Sequence, residues 1–414
     1  MTPPAAALRA GIAAHPLAAL GAAGAANITI AALTLLNSVL MARLLGPEGR
    51  GSVFAMVAFP TAAAALFGSF AHPAIARRAA AGREAPRRLN GLVLHATLPL
   101  AAATAVLSAA LIVLGGVQLD AHEKQAALLY AIAWAPAAVV LFHFQAADMG
   151  GARWGRYNVL RLLPYPLILA GLLACLASGR RDPDVILAIL LASTLAPAAV
   201  RAWLAHRDGG FERVPARDLV ALFREAVPFV AAGGGAAVLA HADQVVAAVA
   251  LPAAGAGIYA VAQRARLLLA PLASAAGAVS FSHAARGRSA DPPLGTARFP
   301  AVLVAAWLVL LPAVWYLVPV FYGDAFAAAR LPAMIALCAG LLAALADVRE
   351  QRVEGAGDPL RVVPGRVAGA LALAAAAVPA GLRYGSTGIA AACVLGQGVR
   401  TLVAARVAGE KRPE

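Results

Sequence analysis

Uncharged apolar runs recur from one end of the chain to the other. There are about twelve, each roughly 17 to 25 residues long, which is the length a helix needs to cross a bilayer core. Uninterrupted apolarity places spans at 17–42, 52–75, 91–115, 125–146, 158–178 and 184–204, then at 226–250, 256–282, 299–321, 330–346, 367–382 and 385–407. The pattern predicts an all-α, multi-pass membrane protein with two sets of six helices. The expected division is an N-terminal six-helix bundle over 1–205, a linker over 206–225, and a C-terminal six-helix bundle over 226–414 with a short tail.

The polar connections alternate in character. The one at 76–90 carries Arg77, Arg78, Arg83, Arg87 and Arg88, whereas the one before it carries only Arg43 and Arg50. Over the whole chain the odd-numbered connections hold roughly seven Lys or Arg, against about 24 in the even-numbered ones and the termini, and positive residues mark the cytoplasmic side. Both termini are therefore expected in the cytoplasm, together with 76–90, 147–157, 205–225, 283–298 and 347–366. The connections on the other face are too short to house soluble chemistry.

Composition agrees with this layout. Of 414 residues, 62% are hydrophobic and 13% charged, too few charges for a water-exposed globular domain. The formal charge of +14 would suggest nucleic acid in a soluble protein. Here the arginines flank apolar spans, so topology and anionic lipid account for them and no nucleic-acid partner is expected. Lysine occurs only at Lys124 and Lys411, and this Arg, Ala and Gly bias points to a GC-rich bacterial genome. Cys175, Cys338 and Cys393 lie inside apolar runs without metal or redox spacing, so neither metal nor cofactor is expected. The first run, which follows Arg9, is too long for a cleaved leader and is expected to stay as the first span.

An internal similarity at an offset of about 206 residues supports two related halves. Leu45-Gly46-Pro47-Glu48-Gly49-Arg50-Gly51 aligns without gaps to Leu251-Pro252-Ala253-Ala254-Gly255-Ala256-Gly257, with the leucine and two glycines coinciding. A parallel repeat predicts this. Glycine-rich turns in a chain with 38 glycines are the competing source. The glycines are expected to serve tight helix-to-helix turns that need positive φ.

Four segments, in order, resemble the polysaccharide and lipid-linked oligosaccharide flippases of the multidrug/oligosaccharidyl-lipid/polysaccharide exporter superfamily. Leu44 to Gly51 is similar to that family's turn after its first helix. Pro228, Asp243 and Gly257-Ile258-Tyr259-Ala260-Val261-Ala262-Gln263-Arg264 resemble its second-half counterpart. Phe321-Tyr322-Gly323-Asp324-Ala325-Phe326 and Tyr384-Gly385-Ser386-Thr387-Gly388-Ile389 resemble two later turns. The segment Ala346 to Glu354 departs from the family by its heavy charge, which leaves the end of the tenth helix and any role of Asp347 open. The resemblance implies a transporter of prenyl-pyrophosphate-linked oligosaccharide that works by alternating access in the bacterial cytoplasmic membrane. It also implies membrane lipids and polysaccharide polymerase or assembly proteins as partners.

Such cargo carries a pyrophosphate and a polar glycan, for which buried arginine and amide groups are suited. Intramembrane charges are functional candidates by default. Arg264 and Arg266 lead the set. Asp243 and Arg264 are equally far from the turn near Pro252 and are expected to pair, either as a helix lock or within a cavity. Arg266 is roughly 200° around a helix from Arg264, so the two face apart. Gln263 and Gln244 suit glycan hydroxyls or each other. On the first helix Asn27, Thr34 and Asn37 form a polar stripe facing cavity or neighbouring helix. His72, Arg77 and Arg78 stand where a pyrophosphate would arrive, or serve topology alone, as do Arg153, Arg156 and Arg161. Arg43 and Arg50 read as interfacial anchors. Asp243, Asp148 and Asp347 are the carboxylates nearest the membrane interior and the candidates for a protonation switch. No nucleotide-binding, zinc-protease or triad motif is present, so an enzyme is not expected. The rival readings are a cation-coupled drug exporter of the same fold, a membrane glycan polymerase or ligase, and a transport-inactive scaffold.

Overall fold

The computed structural model describes residues 16–82, 84–116, 118–285, 298–356 and 358–409. Arg9, Arg83, Lys411, both extreme termini and most of the connection 283–298 lie outside the described residues. What is described is helical almost throughout, as the bilayer requires of backbone that cannot bond to water.

Helix α1 (Pro16–Ala81) bends at Gly46 and is followed by α2 (Pro86–Leu114), α3 (Ala121–Gly150), α4 (Trp154–Leu162), α5 (Pro164–Ser178) and α6 (Pro183–Arg207). Then come α7 (Ala216–Ala250), α8 (Ala253–Ala262), a 3₁₀ turn (Gln263–Leu269), α9 (Ala270–Ala285) and α10 (Arg298–Tyr322). After a second 3₁₀ turn (Asp324–Ala329), α11 (Arg330–Gly355) leads through Pro359–Val362 to α12 (Val363–Gly409), which bends at Gly385. Among the described residues nine helices are long and apolar enough to cross a membrane, counting each of α1 and α12 once. One apolar core gathers Met56, Phe59, Ile112, Tyr130, Leu172 and Ile186, and another gathers Leu269, Leu303, Phe326 and Leu337. Val106, Leu114, Val309, Tyr316 and Leu402 point outward, as befits a surface facing lipid.

Three local outcomes differ from the sequence reading. The first two runs are joined by helix rather than by an open turn. Gly46 alone takes φ 66°, ψ −177°, and Gly49, Gly51, Gly255 and Gly257 are helical. Glycine is needed at Gly51 and Gly257 for proximity instead. A Cβ at Gly51 would overlap the carbonyl oxygen of Ala253 and lie 2.9 Å from the Gly257 nitrogen; one at Gly257 would overlap the carbonyl oxygen of Pro47. The start of the second arm of α1 and the start of α8 thus cross backbone to backbone.

The second difference is the 3₁₀ turn that interrupts the predicted span 256–282. The third concerns the predicted span 330–346, which runs on as helix to Gly355. Its charged tail is folded because partners meet it. Glu350, 2% exposed, accepts from Arg366 Nε at 2.7 Å and from Arg400 Nε and Nη2 at 2.8 and 2.7 Å. Glu354 takes Arg366 Nη2 at 2.8 Å, and Asp347 takes Arg400. A matching clamp joins α3 and α6, where Arg201 Nε and Nη2 reach the two oxygens of Asp148 at 2.9 and 3.1 Å.

Candidate functional site

The first arm of α1, the start of α5 and the 3₁₀ turn with α9 enclose a cavity of about 540 Å³. Its walls carry Asn27, Thr34, Tyr165, Arg264 and Ser274 among aliphatic side chains, and Arg264 is their one charged residue. Arg264 and Arg266 are two residues apart in the 3₁₀ turn, so their side chains leave the backbone in different directions, Arg264 into this cavity and Arg266 out of it.

Arg266, not Arg264, is the partner of Asp243. Its Nη1 lies 3.1 Å from Asp243 Oδ2, and its Nη2 donates to Ala240 O at 2.9 Å. Tyr259 Oη donates to the same Oδ2 at 2.6 Å and touches Cys393 Sγ at 3.5 Å, so α7, α8, the turn and α12 are tied at one buried point. The expectation of an Asp243–Arg264 pair fails because it rested on equal distance from the turn near Pro252, and depth along two helices does not fix which face meets the neighbour: Arg266 faces α7 and Arg264 does not. Arg266 also borders a second cavity of about 260 Å³ with Asp347, Arg366, Gln397 and Arg400. Leu267 and Ala270 border both spaces.

Arg264 makes no ion pair or hydrogen bond among the described residues, and its buried Nε has no partner. Tyr165 and Tyr322 are its electrostatic neighbours. Close to it is Arg50, 4% exposed, whose Nη1 lies 2.7 Å from Met41 Sδ and whose Nε is likewise without a partner. Arg50 is therefore not the interfacial anchor that its place beside the first turn suggested. Two guanidinium groups stand near one another without a carboxylate, one from each predicted bundle. Leaving buried charge uncompensated is costly, and the electrostatics of such an arrangement suit an anion.

The polar stripe of α1 splits. Asn27 and Thr34 line the cavity, and Asn27 Oδ1 accepts from Arg161 Nη2 at 2.8 Å while the Arg161 guanidinium stacks over Tyr157. Asn37 instead donates to the Tyr165 backbone oxygen at 3.0 Å, fastening α1 to α5. Gln263 is buried beside the turn and is not part of the cavity wall; Gln244 bonds within its own helix, to Ala240 O and His241. Arg77 lies over the Phe229 ring at 5.8 Å, and Arg78 pairs with Glu225, both away from the cavity. Asp148, Asp243 and Asp347 each face an arginine. Tyr165 and Arg50 were missed by sequence reasoning. A lone tyrosine after proline carries no spacing signal, and Arg50 carried a competing one. Among the described residues no group of three or more His, Cys, Asp or Glu side chains could hold a metal ion.

The family model described as polysaccharide biosynthesis protein matches residues 20–281, more than half of the chain, including the cavity walls. The chain belongs to that family. Solved structures extend the likeness over nearly the full length. The lipid II flippase MurJ in an inward closed conformation superposes with a TM-score of 0.73 at 14% identity, covering 92% of this chain and 85% of that one. An inward-facing multidrug resistance MATE transporter of the MOP superfamily gives 0.67 at 16% identity, covering 93% and 98%. A MOP superfamily transporter from Pyrococcus furiosus, described as having a binding pocket of reversed polarity, gives 0.57 at 13% identity, covering 94% and 93%. No curated protein matches the sequence. This polysaccharide biosynthesis protein thus shares the fold of the MurJ and MATE transporters, and it is a multi-pass membrane protein.

Proposed function

We propose that this chain moves a prenyl-pyrophosphate-linked oligosaccharide, a cell-surface polysaccharide precursor, across the bacterial cytoplasmic membrane by alternating access. The observation that carries the reading is Arg264, unpaired in the wall of a cavity with no carboxylate, with Arg50 unpaired beside it. A pyrophosphate supplies the missing negative charge and accepts two-pronged guanidinium bonds. Asn27, Thr34, Tyr165 and Ser274 offer amide and hydroxyl groups to the glycan, while the prenyl tail stays in lipid. Gln263, Asn37, Asp243, Arg266 and Arg77 then support the site or the topology rather than touch cargo.

The architecture proposed for this work has twelve crossings, with six helices in 1–205 and six in 226–414, joined by 206–225. Three features favour it. Each of α1 and α12 bends at a positive-φ glycine and is long enough for two crossings, and α8 with the turn and α9 supplies another. The Gly51 and Gly257 contacts are reciprocal at the 206-residue offset, since Pro47 and Ala253 are related by the same interval. The side-on Arg201–Asp148 and Arg400–Glu350 clamps occupy corresponding helix pairs of the two halves. The arginine-rich connections favour a cytoplasmic side for both termini. Polymerase or assembly proteins would take up the product on the far face.

A cation-coupled drug exporter is the second reading of the same fold. Such a carrier needs a carboxylate available to a cation, and Asp243, Asp148 and Asp347 are each engaged by arginine. A polymerase or ligase would need catalytic groups outside the membrane, and the described connections are short. The test is flipping of a fluorescent prenyl-pyrophosphate-linked sugar by purified protein in liposomes. Arg264→Ala is expected to abolish flipping and Arg264→Lys to restore part of it, with the fold intact in both. Wild-type protein that moves no lipid-linked sugar but exports a cationic dye under an ion gradient would replace this reading with the exporter.

A further inference from the structure

We infer that the crossing of Gly51 over Gly257 is the seal that closes the cavity toward the face opposite the termini, and that it must part in every transport cycle. The inference rests on the alternating-access reading above and adds the element that carries the closure.

Ala253-x-x-x-Gly257 is a small-x-x-x-glycine segment, and Pro47-x-x-x-Gly51 matches it in setting a carbonyl four residues before a glycine at the start of a helical arm. Helices bearing such segments pack with their backbones in contact, held by dispersion and by Cα–H groups directed at carbonyl oxygens. Here the contact is reciprocal: Gly51 faces the carbonyl of Ala253, and Gly257 faces the carbonyl of Pro47. Neither a side-chain hydrogen bond nor an ion pair joins these four residues among the described residues. A contact made only of close approach is lost steeply with distance, since a gap of about 1 Å forfeits a large part of each dispersion well. It can therefore open without stranding a charge or an unsatisfied polar side chain, unlike the α3–α6 and α11–α12 clamps.

Its position suits a seal. One strand of the crossing belongs to the arm that follows the cavity-lining arm of α1, and the other to the helix that leads into Arg264. Opening it would draw Arg50, next to Gly51, away from Arg264, and so would weaken an anion site at the moment of release.

The test uses full-length protein in sealed vesicles, with Cys175, Cys338 and Cys393 replaced and a reporter cysteine at Thr34→Cys in the cavity wall. Labelling by a membrane-impermeant maleimide is measured from each face, without cargo. The parent protein is expected to label from the face of the termini. Gly51→Ala and Gly257→Ala each place one methyl in the crossing, and each should raise the rate from the opposite face about tenfold or more. Gly255→Ala, on the same helix, meets only contacts of 3.4 Å and longer and should leave both rates unchanged. Folded Gly51→Ala and Gly257→Ala proteins that stay sealed would overturn the inference. So would failure of both to fold, because a crossing required in every state is fixed core and not a seal. Labelling needs no lipid-linked sugar, so this result stands apart from the flipping assay that judges the cargo.

Discussion

The Arg201–Asp148 pair allows a stability prediction with an internal asymmetry. Asp148 is fully buried and Arg201 nearly so, with two N–H···O bonds of 2.9 and 3.1 Å and the guanidinium 4.4 Å from the Phe144 ring centroid. Removing one member of a buried pair costs about 3–5 kcal/mol, because the other is left charged and dry. The two members are not equally exposed to that loss. Without Arg201, Asp148 still has Arg153 and Arg156, each at 3.7 Å. Without Asp148, Arg201 keeps only the Phe144 ring, and its Nη1 already lacks a partner. Arg201→Met should therefore fall near 3 kcal/mol, at about the low end of that range, and Asp148→Leu near the high end. The double variant should recover most of the loss, since an apolar pair of similar volume replaces the ions at little net cost. Thermal unfolding of the purified protein in one detergent, for the four members of the cycle, measures this. Single losses below about 1 kcal/mol, or a double variant costing the sum of the singles, would refute the reasoning.

The clamp between α11 and α12 gives a second expectation. Glu350→Gln leaves Arg366 and Arg400 facing a neutral group and should lower the melting temperature, more than Asp347→Asn, whose side chain is 43% exposed; equal effects would sink this ordering. At the connection after α6, the hydrogen bond from Arg156 and the charges of Arg156 and Arg153 hold the Asp208 carboxyl below its usual range, against a smaller opposing effect of desolvation. A depressed folded-state value means that this contribution is complete above the ordinary carboxylate range and is lost as pH falls through the depressed value. Asp208→Asn should therefore flatten the acid side of a stability profile and leave the neutral side parallel to wild type, with exposure keeping the amplitude small.

The bilayer made most of the fold legible. Apolar runs of spanning length, and arginines concentrated in every second connection, are direct prints of a solvent that forbids unpaired backbone and charge. What the runs could not reveal was continuity. Gly46 and Gly385 bend helices without ending them, and the 3₁₀ turn at Gln263–Leu269 has no composition that sets it apart from α-helix. The site depended on which way two arginines face. Equal depth on two antiparallel helices suggested Arg264 as the partner of Asp243, but depth does not tell which face meets α7, and that face carries Arg266. The Asp347, Glu350 and Glu354 series was readable as one face of a helix by its spacing of three and four. Its meaning depended on Arg366 and Arg400, which lie on another helix. Glycine divided the expectation: Gly46 takes the positive φ foreseen for it, whereas Gly51 and Gly257 are glycine because two backbones approach closely.

The unpaired state of Arg264 and Arg50 also has an electrical side. Charge inside a bilayer feels the transmembrane voltage, worth about 2.3 kcal/mol per elementary charge per 100 mV when the full field is crossed. The paired carboxylates contribute almost nothing to this coupling, because each moves together with its arginine. In the proposed orientation and cycle, an interior-negative voltage holds the empty guanidinium groups toward the cytoplasm and so favours the state that loads. A bound pyrophosphate diester, with one negative charge on each phosphate, cancels the two guanidinium charges. The voltage then acts mainly on the empty carrier, drawing it back to load, and leaves the outward movement of the loaded one nearly independent of voltage.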